Sequence, residues 1–348
     1  MTASHRKWQL GTDYNFDYEV LKGYTLKYRG RGMLLNYEIN PSIIRILKKE
    51  KFDVVIFGGY TSLTVKLAII YCKITKTPLI MWSGSTLRDE AIGIRNIFLP
   101  LIKTILRLSD AYVVYGTWAK DYILSFGINP EKIFIAINMG DVDSFLEESI
   151  KLKGKKEAIK RDLGLERKYN IIYAGQLIKS RKGVEYLLDA FIKLKQEYYD
   201  VGLIIAGEGP QKEELIAQSK NTSDVNFVGF VQPKKLPAYF LAADIFVLPS
   251  FFDRFAIVIS EAMAAGLPVI ATDTNAASID IIKNGLNGYV VKGHDSNEIY
   301  KKLKKLLKNP DKIREMGKNS QEMIKNDFNQ DKTLQGFLDA INYVLNKP

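Results

Sequence analysis

From Asp53 onward the chain alternates short apolar runs with longer segments in which apolar residues recur every three or four positions. That is the rhythm of strand, crossover helix and parallel strand. In the first half it predicts strands at 54–57, 79–82, 112–115 and 133–137, and it restarts with 171–174, 203–206, 225–228, 245–248, 269–272 and 288–291. These runs are continuous rather than alternating, as expected of strands covered on both faces. Between the halves, 151–168 is rich in lysine and lacks strand character, so it reads as a linker followed by a surface helix. A last segment, 332–345, puts Leu334, Phe337, Leu338, Ile341 and Leu345 on one helical stripe that must dock on something. The expectation is an α/β protein of two Rossmann-like, doubly wound domains, 1–150 and 151–330, with helix 331–348 packing back on the first. Such domains bind ligands outside the carboxyl ends of their strands, so two of them facing across a cleft would place the site between them.

Composition narrows the function classes. A length of 348 residues, 47% hydrophobic and 26% charged, fits two ordered domains that need no cross-links. Cys72 is the only cysteine and lies in an apolar run, which excludes a disulfide framework or a thiolate metal cluster and points to a reducing, cytoplasmic setting. Residues 1–7 are polar and lack the apolar core of a signal peptide, and no apolar stretch reaches spanning length. The net charge of +11 favours an anionic partner, whether nucleotide phosphate, nucleic acid or acidic membrane, without choosing among them. His5 and His294 are the only histidines, which argues against a Ser-His-Asp hydrolase and against a His-ligated metal.

The most informative stretch runs from Leu248 to Ile270. A buried strand ends at Pro249, a loop carries Asp253, a helix begins near Phe255, and Glu261 lies two turns in before Gly266 and Pro268 stop it. Both carboxylates therefore lie near the carboxyl edge of a sheet. The helix start at Phe255, Ala256 and Ile257 offers free backbone N–H groups and a positive dipole end, which suits a diphosphate. A second site follows the strand at 171–174, where Gly175, Gln176, Arg181 and Lys182 combine a close backbone approach with cations for phosphate oxygens. Glycine turns at strand ends recur at Gly207, beside Val228 and at Gly285.

This order of motifs resembles glycosyltransferase family 4, the retaining group 1 enzymes of the GT-B fold, most specifically between Asn170 and Val291. The resemblance implies that Asp253 contacts hydroxyls of a donor sugar, that Glu261 holds the ribose, and that Lys182, with Arg181, stabilises the leaving diphosphate. It implies donor contacts at Gly175, Gln176, Gly207, Val228, Phe255, Ala256 and Ile257, a nucleotide-sugar as substrate, and no metal or other cofactor. Several positions depart from the pattern: Asp253 replaces the usual Glu, Arg254 and Ala256 stand where the family has glycines, Gln176 replaces the usual Arg, and the loop after residue 82 has no His. The family's first strand, glycine-rich loop and helix have no counterpart, so the N-terminal domain is expected to lack its first β-α unit.

In the first domain Trp82, Ser83 and Gly84 follow a strand and are the acceptor-site candidates, with Trp82 either stacking on a sugar or half-buried beside a turn. Asp141-Val142-Asp143 has the form of a metal-binding Asp-x-Asp but falls at the turn ending domain one, so metal is rejected there. Over 92–108, Arg95, Lys103 and Arg107 oppose Ile94, Ile97, Phe98, Leu101, Ile105 and Leu108, a pattern shared by a membrane-surface helix and a buried amphipathic one. The resulting expectation is a hexosyltransferase acting on a saccharide or lipid-linked acceptor in polysaccharide or glycolipid synthesis, cytoplasmic or at the inner face of the membrane, without nucleic acid. The competing readings are a catalytically silent sugar-nucleotide-binding or scaffold protein, and an epimerase of the same fold.

Overall fold

A computed structural model describes residues 17–21, 23–30, 33–59, 62–88, 100, 102–152, 154–165 and 167–346, with backbone only for 25–30 and 33–38. These form two compact units, one running to Ala136 and resuming at Leu334, the other Ile137–Thr333.

The first unit opens with an antiparallel hairpin, β1 (Tyr24–Gly30) and β2 (Met33–Ile39), then α1 (Ser42–Glu50). The pattern of parallel strands gave no warning of this hairpin, although 24–29 alternates Tyr, Leu and Tyr with Thr, Lys and Arg, the period of a strand with one apolar face. Four parallel strands follow in consecutive order: β3 (Val55–Gly58), β4 (Leu79–Ser83), β5 (Ala111–Val114) and β6 (Ile133–Ile135). Helix α2 (Leu63–Thr75), a helix at 102–107 (α3) and α4 (Thr117–Leu124) connect them. Ile69, Cys72, Leu79, Leu106, Tyr112 and Tyr122 form the core of one face. Residues 92–99 and 101 of the expected amphipathic segment lie outside the described residues. Its described part buries Ile102, Ile105 and Leu106 and exposes Lys103 and Arg107, so that portion packs on the core.

The opposite face is closed by the C-terminal helix, Gln330–Leu345, in a register the apolar pattern did not predict. Gly336, Ala340 and Val344 are buried there with Phe337, Ile341 and Tyr343 beside them, whereas Leu334, Leu338 and Leu345 are exposed. The helix docks through its small residues because the backbone comes so close: a Cβ on Gly336 would overlap the carbonyl oxygen of Ile135.

The second unit begins with α5 (Val142–Lys151), so the division falls ahead of the expected boundary at 150; Phe145 packs on Phe240 of the same unit, with ring centroids 5.6 Å apart. In α6 (Lys156–Asp162) the expected surface helix buries Lys160, whose ammonium reaches Glu157 and the Lys168 carbonyl. The sheet comprises β7 (Tyr169–Ala174), β8 (Val201–Ala206), β9 (Val225–Gly229), β10 (Ile245–Leu248), β11 (Val269–Thr272) and β12 (Gly288–Val291). They are all parallel, in the order β12-β11-β10-β7-β8-β9. Between them run α7 (Lys179–Lys182), α8 (Val184–Lys195), α9 (Lys212–Ser219), α10 (Leu236–Ala242), α11 (Ile257–Ala264) and α12 (Ala276–Ile281). Helices α13 (Ser296–Leu307), α14 (Pro310–Asn326) and α15 (Gln330–Leu345) complete the chain. Strand order reverses between β7 and β10, and a doubly wound sheet opens its ligand crevice at the carboxyl ends of such a pair.

Gly336→Val is expected to lower stability by about 1–3 kcal/mol through overpacking against β6, with a lower urea midpoint at unchanged slope as the readout; an unchanged midpoint would show that the helix does not dock so closely.

Candidate functional site at the strand-order reversal

Two loops meet at the reversal. After β7 the chain passes Gly175 and Gln176 into α7; after β10 it passes Pro249 to Asp253 and enters α11. Gly183, with φ +58, caps α7 and starts α8, and a Cβ there would overlap the Pro249 carbonyl oxygen. The contact brings α7 against the end of β10, where the N–H groups of Phe251 and Phe252 both donate to the Arg181 carbonyl, at 2.8 and 3.4 Å. Lys182 Nζ then lies 2.6 Å from Asp253 Oδ2, with the two side chains 14% and 15% exposed. An ion pair so shielded is far less screened than a surface pair. Asp253 is fixed from its other side by pairing with Asn275, and its carbonyl accepts the Ala276 N–H at 3.2 Å.

Gly175 and Gly207 also belong to this edge. A Cβ on Gly207 would overlap the Gly175 carbonyl oxygen, and the Gly175 N–H donates to Ala206 at 2.9 Å. Tyr173, fully buried below, donates to the Gln176 carbonyl at 2.7 Å; burial, with the Asp253 charge nearby, pushes its hydroxyl well above the usual tyrosine range. The Gln176 side chain itself is exposed. Arg181 Nε is buried without a hydrogen-bond partner among the described residues. Phe255 and Ala256 are buried, and Ala256 precedes α11 with no side-chain cap, so the first N–H groups of that helix depend on another acceptor. Val228 lies on β9, separated from β7 by β8, and is the donor-site candidate farthest along the sheet from the reversal.

Glu261 is held differently from Asp253. Its carboxylate lies against Gly140, where an added Cβ would sit 2.7 Å from Oε1, and the Gly140 N–H donates to Ser260 Oγ at 3.2 Å. Burial raises its pKa to about 7, with the nearby Asp141 charge adding to the shift. Asp141 caps α5 by accepting the Ser144 N–H at 3.3 Å. The Asp-x-Asp sequence is therefore a helix start, and its bearing on Glu261 was missed; a carboxylate one turn from the unit boundary was the signal available.

The acceptor candidates lie in the first unit. Trp82 packs against Tyr115 and Phe337, with centroids at 5.4 and 5.7 Å, so two rings of the protein already engage the indole expected to stack on a sugar. Ser83 and Gly84 are buried, Ser83 Oγ accepts the Ser85 N–H at 3.2 Å, and the Tyr115 ring lies against Gly84.

Residues 155–323, most of the second unit, match the sequence model of the family described as glycosyl transferases group 1. An uncharacterized 41.2 kDa protein in the cps region of Klebsiella pneumoniae is 26% identical over 74% of this chain and 70% of its own length. The Staphylococcus aureus capsular polysaccharide biosynthesis glycosyltransferase CapM is 26% identical over 82% of this chain and 75% of its length. The match to the alpha-D-kanosaminyltransferase of Streptomyces kanamyceticus, 29% identical, covers 48% of this chain and less than half, 44%, of that protein. Among solved structures, Anabaena HepE in complex with UDP superposes with a TM-score of 0.72 at 18% identity, covering 87% of this chain and 82% of its own. A Rickettsia africae glycosyltransferase gives 0.74 at 19%, covering 88% and 80%. The architecture, two parallel-sheet α/β units, is thus that of GT-B glycosyltransferase structures.

The raised Glu261 pKa sets a stability test. Between about pH 4.5 and 7 the folded chain keeps a proton that the unfolded chain loses, so stability falls across that window and levels off above it. Glu261→Gln removes the effect: it is expected to be about 2 kcal/mol more stable than wild type at pH 8 and equal to it at pH 4 by urea unfolding. Equal stability at both pH values would mean that the carboxylate is not desolvated.

Proposed function

We propose that the chain is a retaining glycosyltransferase of the family 4 type, moving a hexose or related sugar from a nucleoside diphosphate to a saccharide or lipid-linked acceptor. The observation that carries this reading is the meeting of Lys182 and Asp253 beside the uncapped start of α11, at the strand-order reversal. In this reading the diphosphate sits at the α11 N–H groups and next to Lys182, with Arg181 Nε as a further donor. Asp253 accepts hydroxyls of the sugar and Glu261 those of the ribose. The Lys182–Asp253 pair then has two uses: it neutralises both groups while the site is empty, and it divides Lys182 between carboxylate and phosphate when the donor is bound.

The acceptor oxygen forms a bond to the anomeric carbon as the bond from that carbon to the phosphate oxygen breaks. The electron pair leaves with the diphosphate, and the acceptor proton passes to a phosphate oxygen on the same face, which retains configuration. No histidine base is required. The cations supply the charge stabilisation that a metal would otherwise provide, so the reaction is proposed to be metal-independent. Support for a nucleotide donor comes from the UDP held by the HepE structure of the same fold, and support for polysaccharide assembly from the similarity to CapM, a capsular polysaccharide biosynthesis glycosyltransferase. No helix among the described residues is long and apolar enough to cross a membrane, so any contact with a membrane-borne acceptor is proposed as peripheral.

Calorimetric titration with nucleoside diphosphates and their sugar conjugates tests the reading. One conjugate should bind saturably, and Glu261→Ala and Lys182→Ala should each weaken it at least tenfold, about 1.4 kcal/mol, without unfolding the chain. Unchanged affinity in both variants would remove the site; binding without transfer to any acceptor would favour the silent sugar-nucleotide-binding protein.

A further inference from the structure

We infer that His294 is a positioning residue for Asp253, acting through the ring of Phe251; the role rests on reading Asp253 as the group that meets the donor sugar. The imidazole lies flat on the Phe251 ring, with centroids 3.7 Å apart and planes within 15°. Tyr186 of α8 meets both rings edge-on, at 5.3 Å from Phe251 and 5.6 Å from His294. Phe251 is two residues from Asp253, and its N–H makes the shorter of the two bonds to the Arg181 carbonyl, 2.8 Å against 3.4 Å from Phe252. The stack therefore presses on the loop at the point where it joins α7, one residue before Lys182.

His294 is braced for the task. Its neighbour Gly293 donates its N–H to Asp273 Oδ1 at 3.0 Å, the Lys292 backbone N–H donates to Glu298 Oε2 at 2.8 Å, and Asp295 caps α13 by accepting the Glu298 N–H at 2.9 Å. These bonds tie the turn after β12 to the end of β11 and to a helix start. Within that turn His294 has φ +62, a left-handed conformation that glycine adopts freely and other residues sparsely. The backbone gains nothing from histidine there, so the ring is what the position supplies. Together with the Ala276 N–H on the Asp253 carbonyl, the stack grips the loop on both sides of the carboxylate's approach.

The test uses the full chain and reads the Phe251 amide by hydrogen exchange in wild type, His294→Gly, Phe251→Leu and the double variant. His294→Gly relieves the left-handed backbone, so global stability should hold while Phe251 exchange quickens about tenfold. In the Phe251→Leu background the same change should add nothing, because the partner ring is gone. In titrations, His294→Gly should weaken the sugar conjugate about tenfold and leave its nucleoside diphosphate within twofold. Unchanged Phe251 exchange in His294→Gly, an effect that adds to that of Phe251→Leu, or equal weakening of conjugate and diphosphate would each overturn the role. If wild type binds no nucleotide at all, the donor reading falls and with it the role toward the sugar, while the exchange data still decide whether the ring holds the loop.

Discussion

At Gly183 the backbone of one loop touches the backbone of another: a side chain there would overlap the Pro249 carbonyl oxygen. Without that approach α7 would stand away from β10, the N–H groups of Phe251 and Phe252 would lose the Arg181 carbonyl, and Lys182 would not reach Asp253. The parallel sheet makes this possible by ending β7 and β10 side by side, since their order reverses there and no crossover helix fills the gap. The site is thus a consequence of topology and of one residue small enough to let two strand-end loops touch. The Gly207 approach to Gly175 repeats the device between β7 and β8.

The two carboxylates of the site are prepared in opposite ways. Asp253 is paired with a cation at 2.6 Å and little exposed, so its charge is balanced within the protein. Among the described residues Glu261 has no such cation. It faces Gly140 and the Asp141 charge, and burial holds its pKa near 7, close to neutrality in its protonation balance. A carboxyl so placed gains from a ligand that brings hydroxyl donors, whereas Asp253 can release its partner only to an anion that replaces it. Electrostatics therefore separates a carboxyl held near its titration point from one whose charge is balanced by a lysine.

Much of this was legible in the chain. The ten parallel strands follow from continuous apolar runs, most clearly where burial on both faces leaves no polar alternation to blur the limits, and 245–248, 269–272 and 288–291 coincide with observed strands. The Asp253 and Glu261 stretch and the Lys182 loop were visible as motifs; that Lys182 and Asp253 would pair was not, because it depends on a contact between Gly183 and Pro249 that no local pattern encodes. Docking of the C-terminal helix was expected but its face was not. The leucines dominate a hydrophobicity pattern, yet Gly336 and Ala340 decide the contact, since close packing rewards the absence of a side chain. The packing of Trp82 was hidden for a related reason: Phe337, one of the two rings against it, arrives from 255 residues further along the sequence.

The charge of +11 carries less functional information than its size implies. Lys193 and Lys304 lie over the Tyr300 ring at 4.5 and 5.5 Å, Lys302 and Lys305 over Tyr289 at 4.9 and 5.2 Å, and Lys195 over Tyr199 at 5.4 Å. These lysines pack against aromatic rings, and two of them are neutralised besides, Lys195 by Asp224 at 2.7 Å and Lys304 by Glu197 at 2.5 Å. The cations that matter for the proposed chemistry are few and sit where the loops converge, and Lys182 is already neutralised by Asp253. Total charge therefore gives no basis for preferring nucleic acid over a nucleotide. What bears on the ligand is position, above all the pairing of Lys182 with Asp253 where the loops after β7 and β10 meet.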